Sequence, residues 1–234
     1  MHGYSSSSIR NACIKLVIRN NVKASGLLDI GGSTGEYTQV VSGLVKATNI
    51  YLVDMREESL FQAKKSGLNA LSLNVSTDKL PFPCEMFDMV MMIEVIEHLA
   101  NPDNCIEECK RVLKKGGLLL LSTPNLAWWI NRLVILLGYQ PYYSEPSARI
   151  NVGKFLKSAE RFDTSGHIRL FTFKAILKFL EYYGFSVVDH IGAAGEHSSG
   201  ALGIFDRIFS ERTAFSADVG ILAKLNDASR ASNK

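Results

Sequence analysis

Short apolar runs alternate with stretches of helical periodicity along most of this chain. The apolar runs predict strands at residues 26–30, 50–54, 70–75, 87–93, 118–122 and 185–190, and the segment 215–225 predicts a final strand. This alternation is typical of βαβ units, which build a parallel sheet with helices on both of its faces. The pattern therefore predicts an α/β fold of the doubly wound, Rossmann-like kind.

Helices are predicted where apolar side chains recur every three or four residues. Apolar positions in 37–45 follow the i, i+3, i+4, i+7 and i+8 spacing of an amphipathic helix. A second helix is predicted to start at Asn101-Pro102 and to end at Lys114, Lys115 and a C-cap glycine, Gly116. Further helices are predicted over 8–20, before the first strand, and over 172–183.

The stretch 124–166 interrupts the alternation. It contains both tryptophans of the chain and the pair Tyr142-Tyr143, and it has no clear strand pattern. We predict a cap insertion that lies over the carboxyl edge of the sheet, within a single domain formed by residues 1–234. The polar segment 227–234 is predicted to be a frayed tail.

Composition and charge narrow the class of protein. With 234 residues, 47% hydrophobic and 21% charged, the chain has a globular composition, which excludes disorder, collagen and coiled coil. A net charge of +3 without a basic run does not indicate a nucleic-acid partner. The longest apolar run, 133–137, is too short to cross a membrane. The four cysteines have neither paired CxxC spacing nor a disulfide-dense pattern, and the N-terminus has no signal-peptide pattern. Both features favour a cytoplasmic protein.

A glycine-rich turn at 31–35 is the sharpest local signal. The apolar segment 27–30 leads into Gly31-Gly32-Ser33-Thr34-Gly35, and a helix follows. Glycines allow a tight turn and a close approach of a ligand to the backbone, and ligands of open α/β sheets bind beyond the carboxyl ends of strands. The alternative is a turn whose glycines serve packing alone.

The spacing of residues around the turn selects among ligands. A dinucleotide fingerprint needs glycines at relative positions 1, 3 and 6, which here are Gly31, Ser33 and Glu36, and the GK[ST] ending of a P-loop is absent. Asp29 before the turn disfavours a pyrophosphate by charge repulsion. Asp54, about 20 residues further on, can accept hydrogen bonds from ribose hydroxyls. Together these carboxylates indicate a nucleoside with a positive tail and no phosphates, and S-adenosylmethionine fits that description.

Several blocks of sequence follow in an order known from one protein family. The segment Asp29 to Gly35 resembles motif I of the class I S-adenosylmethionine-dependent methyltransferases, and the blocks at 80–83, 87–90, 94–98 and 111–117 resemble the family's LPF, FDxV, E-V-x-E-H and R-V-L-K-P-G-G motifs. Lys115 stands where proline is usual. The resemblance covers residues 25 to 125 and implies a mostly parallel seven-stranded sheet with one antiparallel edge strand.

The same resemblance implies roles for individual residues of the cofactor half. The family often has an aspartate near the end of the third strand, and here Asn74 or Asp78 must serve instead. The resemblance implies that the methionine part of the cofactor contacts Gly31, Gly32, Ser33 and Gly35, and that the ribose contacts Asp54 and Met55. It also implies that the adenine is bordered by Asn74, Val75 and Ser76, and that Glu94 lies beside both the cofactor and the methyl acceptor.

The second half resembles a narrower group. Ser122-Thr123-Pro124-Asn125 and the segment 166–172 are similar to ubiquinone-biosynthesis O-methyltransferases and related enzymes that act on small molecules. The resemblance places His167 at the mouth of the site, where an imidazole has a suitable pKa to take a proton from an acceptor hydroxyl. The alternative is a histidine that only holds its loop. His98 is predicted to be structural.

Aromatic and basic residues of the insertion are candidates for acceptor binding. Trp128, Trp129, Tyr142 and Tyr143 either line an apolar acceptor pocket or form a small core of the cap, and Arg149 or Arg169 can meet an acidic group. The segment 126–139 is unusually apolar for an exposed insertion, which suggests peripheral contact with a membrane or a lipid acceptor.

Other chemistries have weaker support. Cys105 and Cys109 lie one helical turn apart, but no cluster of other ligands completes a metal site, so we predict core residues and no metal. Pro83-Cys84 precedes the fourth strand, whereas the nucleophile of cytosine-C5 methyltransferases follows it. The [DN]-P-P-[YFW] motif of nucleic-acid amino-methyltransferases is absent, which disfavours DNA or RNA as substrate.

The sequence therefore predicts methyl transfer from S-adenosylmethionine to a small-molecule acceptor, at a hydroxyl oxygen. The main alternative is a methyltransferase-like domain that binds the cofactor and regulates or binds without turnover. A nicotinamide-dependent oxidoreductase is disfavoured by the glycine spacing. The sequence leaves the acceptor and the oligomeric state open.

Overall fold

The structure is a computed structural model that describes residues 7–156, 164–195 and 200–226. Its centre is a seven-stranded sheet in the order β3-β2-β1-β4-β5-β7-β6. The strands are β1 (Gly26–Ile30), β2 (Asn49–Asp54), β3 (Asn69–Ser72), β4 (Phe87–Ile93), β5 (Leu113–Pro124), β6 (Phe185–Ala193) and β7 (Asp218–Leu225). The helices are α1 (Ser7–Arg19), α2 (Glu36–Val45), α3 (Glu57–Lys65), α4 (Pro102–Val112), α5 (Trp129–Leu136), α6 (Phe173–Tyr182) and α7 (Gly200–Ser210).

The predicted fold class is confirmed. Strands β1 to β5 pair in parallel, and β7 runs antiparallel to both β5 and β6. The reversed strand thus belongs to the edge pair, in which β6 is outermost. The strand order reverses between β1 and β4, and this switch point is where open α/β sheets form their ligand crevice.

Alternate side chains of the central strands enter two separate cores. Leu28 of β1 packs on the face covered by α4 and α6, whereas Leu27 packs on the face covered by α1 and α2. Cys13, Cys105 and Cys109 are buried, as expected of core residues, and Cys84 is exposed. Burial on both faces explains why the strands read as continuous apolar runs.

The predicted end of the helix after Asn101 is wrong. Helix α4 ends at Val112, and the next residue, Leu113, already pairs with Phe87 of β4. A register shift follows in this pair of strands, and Gly116 adopts a φ of +69° within it. The basic and glycine residues therefore form an irregular strand start, where Lys114 donates to Asp88 at 2.7 Å, and not a helix C-cap.

Other boundaries differ by a few residues. The third strand ends at residue 72 and not 75, the fifth extends to 113–124, and the sixth continues to 193. The last strand begins at 218, after a 3-10 turn at 213–215. Helices α3, α5 and α7 were not predicted, and the predicted tail 227–234 lies outside the described residues.

The segment predicted as a cap starts where β5 ends. Asn125 forms an isolated bridge with Phe171, so the chain leaves and rejoins the sheet at one place, beside the carboxyl end of β5. Among the described residues, no helix is both long and apolar enough to span a membrane.

Candidate functional site

The glycine-rich turn joins β1 to α2 at the switch point of the sheet. Gly31 and Gly35 have φ angles of +77° and +81°, a region that disfavours side chains. Gly32 has an ordinary φ, but a Cβ there would lie 2.6 Å from both Asp29 Oδ2 and Leu52 Cδ1. Each glycine is thus required by the local geometry, and the turn presents bare backbone toward the crevice.

Asp29 lies buried beneath this turn. Its side chain accepts a hydrogen bond from Thr38 Oγ1 at 2.5 Å, and the residue is only 3% exposed. Burial raises the pKa of Asp29 to about 7, because the charged form loses its hydration. A nearby cation favours the ionised form, and Arg10 of α1 acts in that direction.

Asp54 ends β2 beside the same turn. Its carboxylate accepts the backbone N–H of Ser33 at 2.9 Å and that of Arg56 at 2.9 Å, one on each oxygen. Nε of Arg56 also lies 3.5 Å from Oδ1. A carboxylate has about four lone-pair directions, so it retains capacity for at least one hydroxyl donor. Met55, the next residue, is 67% exposed and lies at the surface.

The residues predicted to border an adenine follow β3. Asn74 is exposed, and its side-chain oxygen accepts the N–H of Ser76 at 3.1 Å. Its own N–H donates to Asp78 at 3.0 Å. Val75 and Ser76 are buried, and Val75 packs in the core with α4. Asn74 and Asp78 therefore hydrogen-bond within one turn. Both residues are exposed at the surface of that turn.

Glu94 and Glu97 follow β4, next to the crevice. Glu94 has a φ of +56°, and its carboxylate accepts from Ser122 Oγ at 2.8 Å. Glu97 is 1% exposed; Thr123 donates to its Oε2 at 3.1 Å, while its Oε1 has no hydrogen-bond partner. Burial and the neighbouring Glu94 carboxylate raise the pKa of Glu97 well above its usual value.

Two histidines meet beside these carboxyl groups. The rings of His98 and His167 have centroids 4.8 Å apart. Burial lowers the pKa of both imidazoles, so both are neutral near pH 7. One polar atom from each of Glu97, His98 and His167 lies within 4.8 Å of the others. His98 Nε2 lies 3.8 Å from Glu97 Oε1, which is longer than a hydrogen bond. Three ligand atoms this close can coordinate one cation.

The histidine tautomers follow from their hydrogen bonds. Nδ1 of His98 lies 3.1 Å from the carbonyl of Gly166, and Nδ1 of His167 lies 3.3 Å from the carbonyl of Tyr143. A carbonyl only accepts, so each Nδ1 must carry the proton. Each Nε2 is then left as a hydrogen-bond acceptor.

Of the aromatic candidates, Trp128 and Tyr143 lie close to this cluster. The Tyr143 ring centroid is 5.9 Å from that of Trp128 and 6.4 Å from that of His167. Its phenol hydrogen-bonds Asp218, and burial raises its pKa well above the usual value. Tyr142 packs edge-on against Trp128 with centroids 5.9 Å apart.

The remaining candidates point elsewhere. Trp129 stacks on Phe209 of α7 at 5.1 Å. Arg149 is exposed, and the guanidinium of Arg169 donates to the carbonyl of Ala100 at 3.0 Å. The structure thus gathers Glu94, Trp128, Tyr143 and His167 at one end of the sheet, and it places Trp129 against α7.

Sequence reasoning missed three parts of this site. Glu97 and His98 belong to the E-V-I-E-H block, so a signal was present, but His167 lies 69 positions after His98, and no spacing rule links them. Arg10 of α1 has a buried Nε without a partner, and its guanidinium lies 5.5 Å from the Tyr37 ring centroid. A single arginine in a helix gives no sequence signal for this placement.

The chain is similar to known proteins over its first half. Residues 28–121 match the family described as "Methyltransferase domain". A ubiquinone biosynthesis O-methyltransferase of Glaesserella parasuis is 31% identical over 154 residues, which cover 60% of this chain and 64% of the relative. A 2-methyl-6-phytyl-1,4-hydroquinone methyltransferase of Oryza sativa is 32% identical over 109 residues, covering 45% and 33% of the two chains.

A solved structure shares the whole fold. It is described as a SAM-dependent methyltransferase, possible histamine N-methyltransferase, from Thermotoga maritima; it superimposes with a TM-score of 0.59 at 18% identity and covers 92% of this chain and 88% of its own. Residues 28–121 thus match a methyltransferase domain, and the chain has the fold of a solved SAM-dependent methyltransferase. It spans less than two thirds of the length of either curated relative.

The glycine turn gives a stability test with an internal control. Gly35→Ala places a Cβ at φ +81° and 2.3 Å from Leu68 Cδ1, so we expect a loss of about 1–3 kcal/mol in the free energy of unfolding. Gly43→Ala, in the exposed middle of α2 with no atom within 4 Å, should instead stabilise by about 0.5–1 kcal/mol. Urea unfolding measures both, and equal effects would contradict the described turn.

Proposed function

We propose that this protein transfers a methyl group from S-adenosylmethionine to a hydroxyl oxygen of a small-molecule acceptor. The observation that carries the proposal is the placement of a bare glycine turn and of a neutral histidine at the same end of one mostly parallel sheet. The similarity to a ubiquinone biosynthesis O-methyltransferase supports an oxygen acceptor. The small net charge of +3 favours a small molecule over a nucleic acid.

The residues around the turn fit S-adenosylmethionine chemically. Its ribose hydroxyls can donate to Asp54, whose carboxylate retains acceptor capacity. Its methionine end carries an ammonium and a carboxylate, which suit Asp29 and the unpartnered Nε of Arg10. The adenine is assigned to the turn that Asn74 and Asp78 shape. When bound, the sulfonium supplies an electrophilic methyl group.

The protein's own residues then have two tasks at the acceptor. They must hold the acceptor oxygen about 3–3.5 Å from the methyl carbon, in line with the leaving sulfur. They must also take the hydroxyl proton, and His167 is the proposed base because its Nε2 is the acceptor atom of a neutral ring. Glu94, Trp128 and Tyr143 are proposed to form the walls of the acceptor site.

The main alternative is a domain that binds the cofactor without turnover. Both functions predict cofactor binding, since both keep Asp54 and the glycine turn. They differ at His167, which a binding protein does not need as a base. Methyl transfer from labelled S-adenosylmethionine to components of a metabolite extract separates the two and also identifies the acceptor.

The ribose assignment gives a binding prediction. Asp54→Ala should weaken binding of S-adenosylhomocysteine by about 1.5–3 kcal/mol, because hydrogen bonding of a ribose hydroxyl to a charged acceptor is lost. Titration calorimetry measures this, with the exposed Glu181→Ala as a control that should bind as the wild type does. Unchanged affinity in Asp54→Ala, or tight binding of NAD with no response to S-adenosylmethionine, would overturn the cofactor assignment.

The proposed base gives a kinetic prediction. His167→Asn keeps a donor for the Tyr143 carbonyl but removes Nε2, so kcat should fall about 10²–10⁴-fold while cofactor affinity stays constant. His190→Asn, outside the site, should leave kcat unchanged. Retention of kcat in His167→Asn would exclude this base.

The same base predicts the pH dependence. Burial and His98 lower the pKa of His167, as does Lys154, whereas Glu145 raises it. Because the net direction is downward, the reactive neutral form persists below the ordinary histidine pKa of about 6.5. The acid limb of kcat/KM should therefore have its midpoint below about 6.5, and a midpoint at or above about 7 would contradict this base.

An amphiphilic or lipid-linked acceptor is the further part of this proposal. Large apolar side chains of α5 and α7 face solvent, among them Leu136 at 82%, Phe205 at 55% and Ile208 at 58% exposed. The helices adjoin, since Trp129 of α5 stacks on Phe209 of α7. The exposed charged side chains described on these helices are Arg132 and Arg207, which suits an anionic lipid surface.

Membrane contact has a direct test with a matched control. Leu136→Glu combined with Phe205→Glu should abolish co-sedimentation with vesicles of anionic and neutral phospholipid at low salt, because the charges oppose insertion of the apolar face. Phe61→Glu alters a residue that is 71% exposed on α3 and should leave co-sedimentation unchanged. Wild-type protein that remains in the supernatant would exclude this contact.

A further inference from the structure

Three consecutive backbone N–H groups converge on one carboxylate beside His167. Glu145 accepts the N–H of Ser165 at 2.6 Å, that of Gly166 at 2.9 Å and that of His167 at 3.1 Å. Gly166 has a φ of +81°, which turns successive N–H groups toward the same side. Such a concave array of N–H groups binds anions, and here the anion is a side chain of the same protein.

The residue that holds the imidazole lies two positions before Glu145. The carbonyl of Tyr143 lies 3.3 Å from His167 Nδ1. Glu145 therefore fixes the backbone of His167, and Tyr143 fixes its ring, from one short turn formed by residues 141–145. With both points held, the ring has little freedom to rotate about its side-chain bonds.

This turn is itself anchored. Lys154, which is 3% exposed, donates to the carbonyls of Pro141, of Tyr142 at 3.0 Å and of Ser144 at 2.7 Å. Asn131 of α5 accepts the N–H of Tyr142 at 2.8 Å. The turn is thus tied to two further segments, so it can act as a fixed reference for the histidine.

We propose that Glu145 is a positioning residue that locks His167 in its Nδ1–H tautomer, with Nε2 free to receive the acceptor's proton. Neutral imidazole in water does not have a single fixed tautomer, and only one of the two presents a basic Nε2. An exchange between tautomers would leave part of the enzyme with a protonated Nε2. The catalytic importance of this lock rests on the proposed role of His167, but the lock itself does not.

Nitrogen-15 NMR of the histidine rings tests the lock without any acceptor. The signals of His167 are assigned by their absence in His167→Asn. In the wild type we expect protonated Nδ1 and unprotonated Nε2 at pH 7.5. In Glu145→Ala the nitrogen-15 chemical shifts of Nδ1 and Nε2 should move toward their average, because the loop no longer holds the His167 ring opposite the Tyr143 carbonyl.

Two further variants separate positioning from general damage to the loop. Glu145→Gln keeps an oxygen acceptor, so it should retain most of the wild-type pattern, and Glu181→Gln, on the exposed face of α6, should retain all of it. Affinity for S-adenosylhomocysteine should be unchanged throughout, since Glu145 lies on the acceptor side.

The proposal is overturned by a wild-type signal with the proton on Nε2, or by a Glu145→Ala spectrum identical to that of the wild type. Loss of the pattern to the same extent in Glu145→Gln would indicate general damage to the loop and would also count against the proposal. Turnover of His167→Asn at the wild-type rate would reject the proposed base and leave the tautomer result standing.

Discussion

The parallel hydrogen bonds that β1 makes with β2 and β4 determine where the polar groups of the site lie. These pairings bring the ends of the three strands to one edge, with Ile30 opposite Val53 and Met92. Asp54 and Glu94 each follow such an end. Because the strands are buried on both faces, a one-residue shift in register would exchange side chains between the two cores and disrupt the packing of both, so the core packing holds the site in place.

The buried carboxyl groups of this region differ in how many hydrogen bonds they accept. Asp206 is fully buried, yet it accepts from the indole N–H groups of Trp128 and Trp129 and from the N–H of Gly195, each at 2.7 Å. Glu97 is equally buried, but its Oε1 has no hydrogen-bond partner and lies 3.8 Å from His98 Nε2. Buried polar groups are normally satisfied, so the Glu97 oxygen beside two histidines is an exception, while Asp206 holds α5 to α7.

The glycine-rich turn and the position of Asp54 could be predicted from the sequence because their constraints are local. The glycines are required by backbone angles and close contacts within one turn. Asp54 ends a strand that its apolar run predicts. The helix was predicted to continue to Gly116, but Leu113 pairs with Phe87 of β4 instead. The local pattern does not show this partner, because it lies 26 residues earlier in the chain. The His98–His167 contact and the Glu145 hydrogen bonds join segments that lie tens of residues apart. Sequence periodicity does not predict contacts between such distant segments.

The position of β7 has a consequence for the order of folding. Leu118 of β5 pairs with Lys224, and Phe185 of β6 pairs with Leu225, so β5 and β6 meet only through a strand that is synthesised after both. While the chain emerges from the ribosome, β5 has an open edge until residues 218–225 arrive. The part of the sheet from β3 to β5 can form earlier. We therefore expect the two parts of the sheet to form at different times during synthesis, with the antiparallel pair β6–β7 completed last.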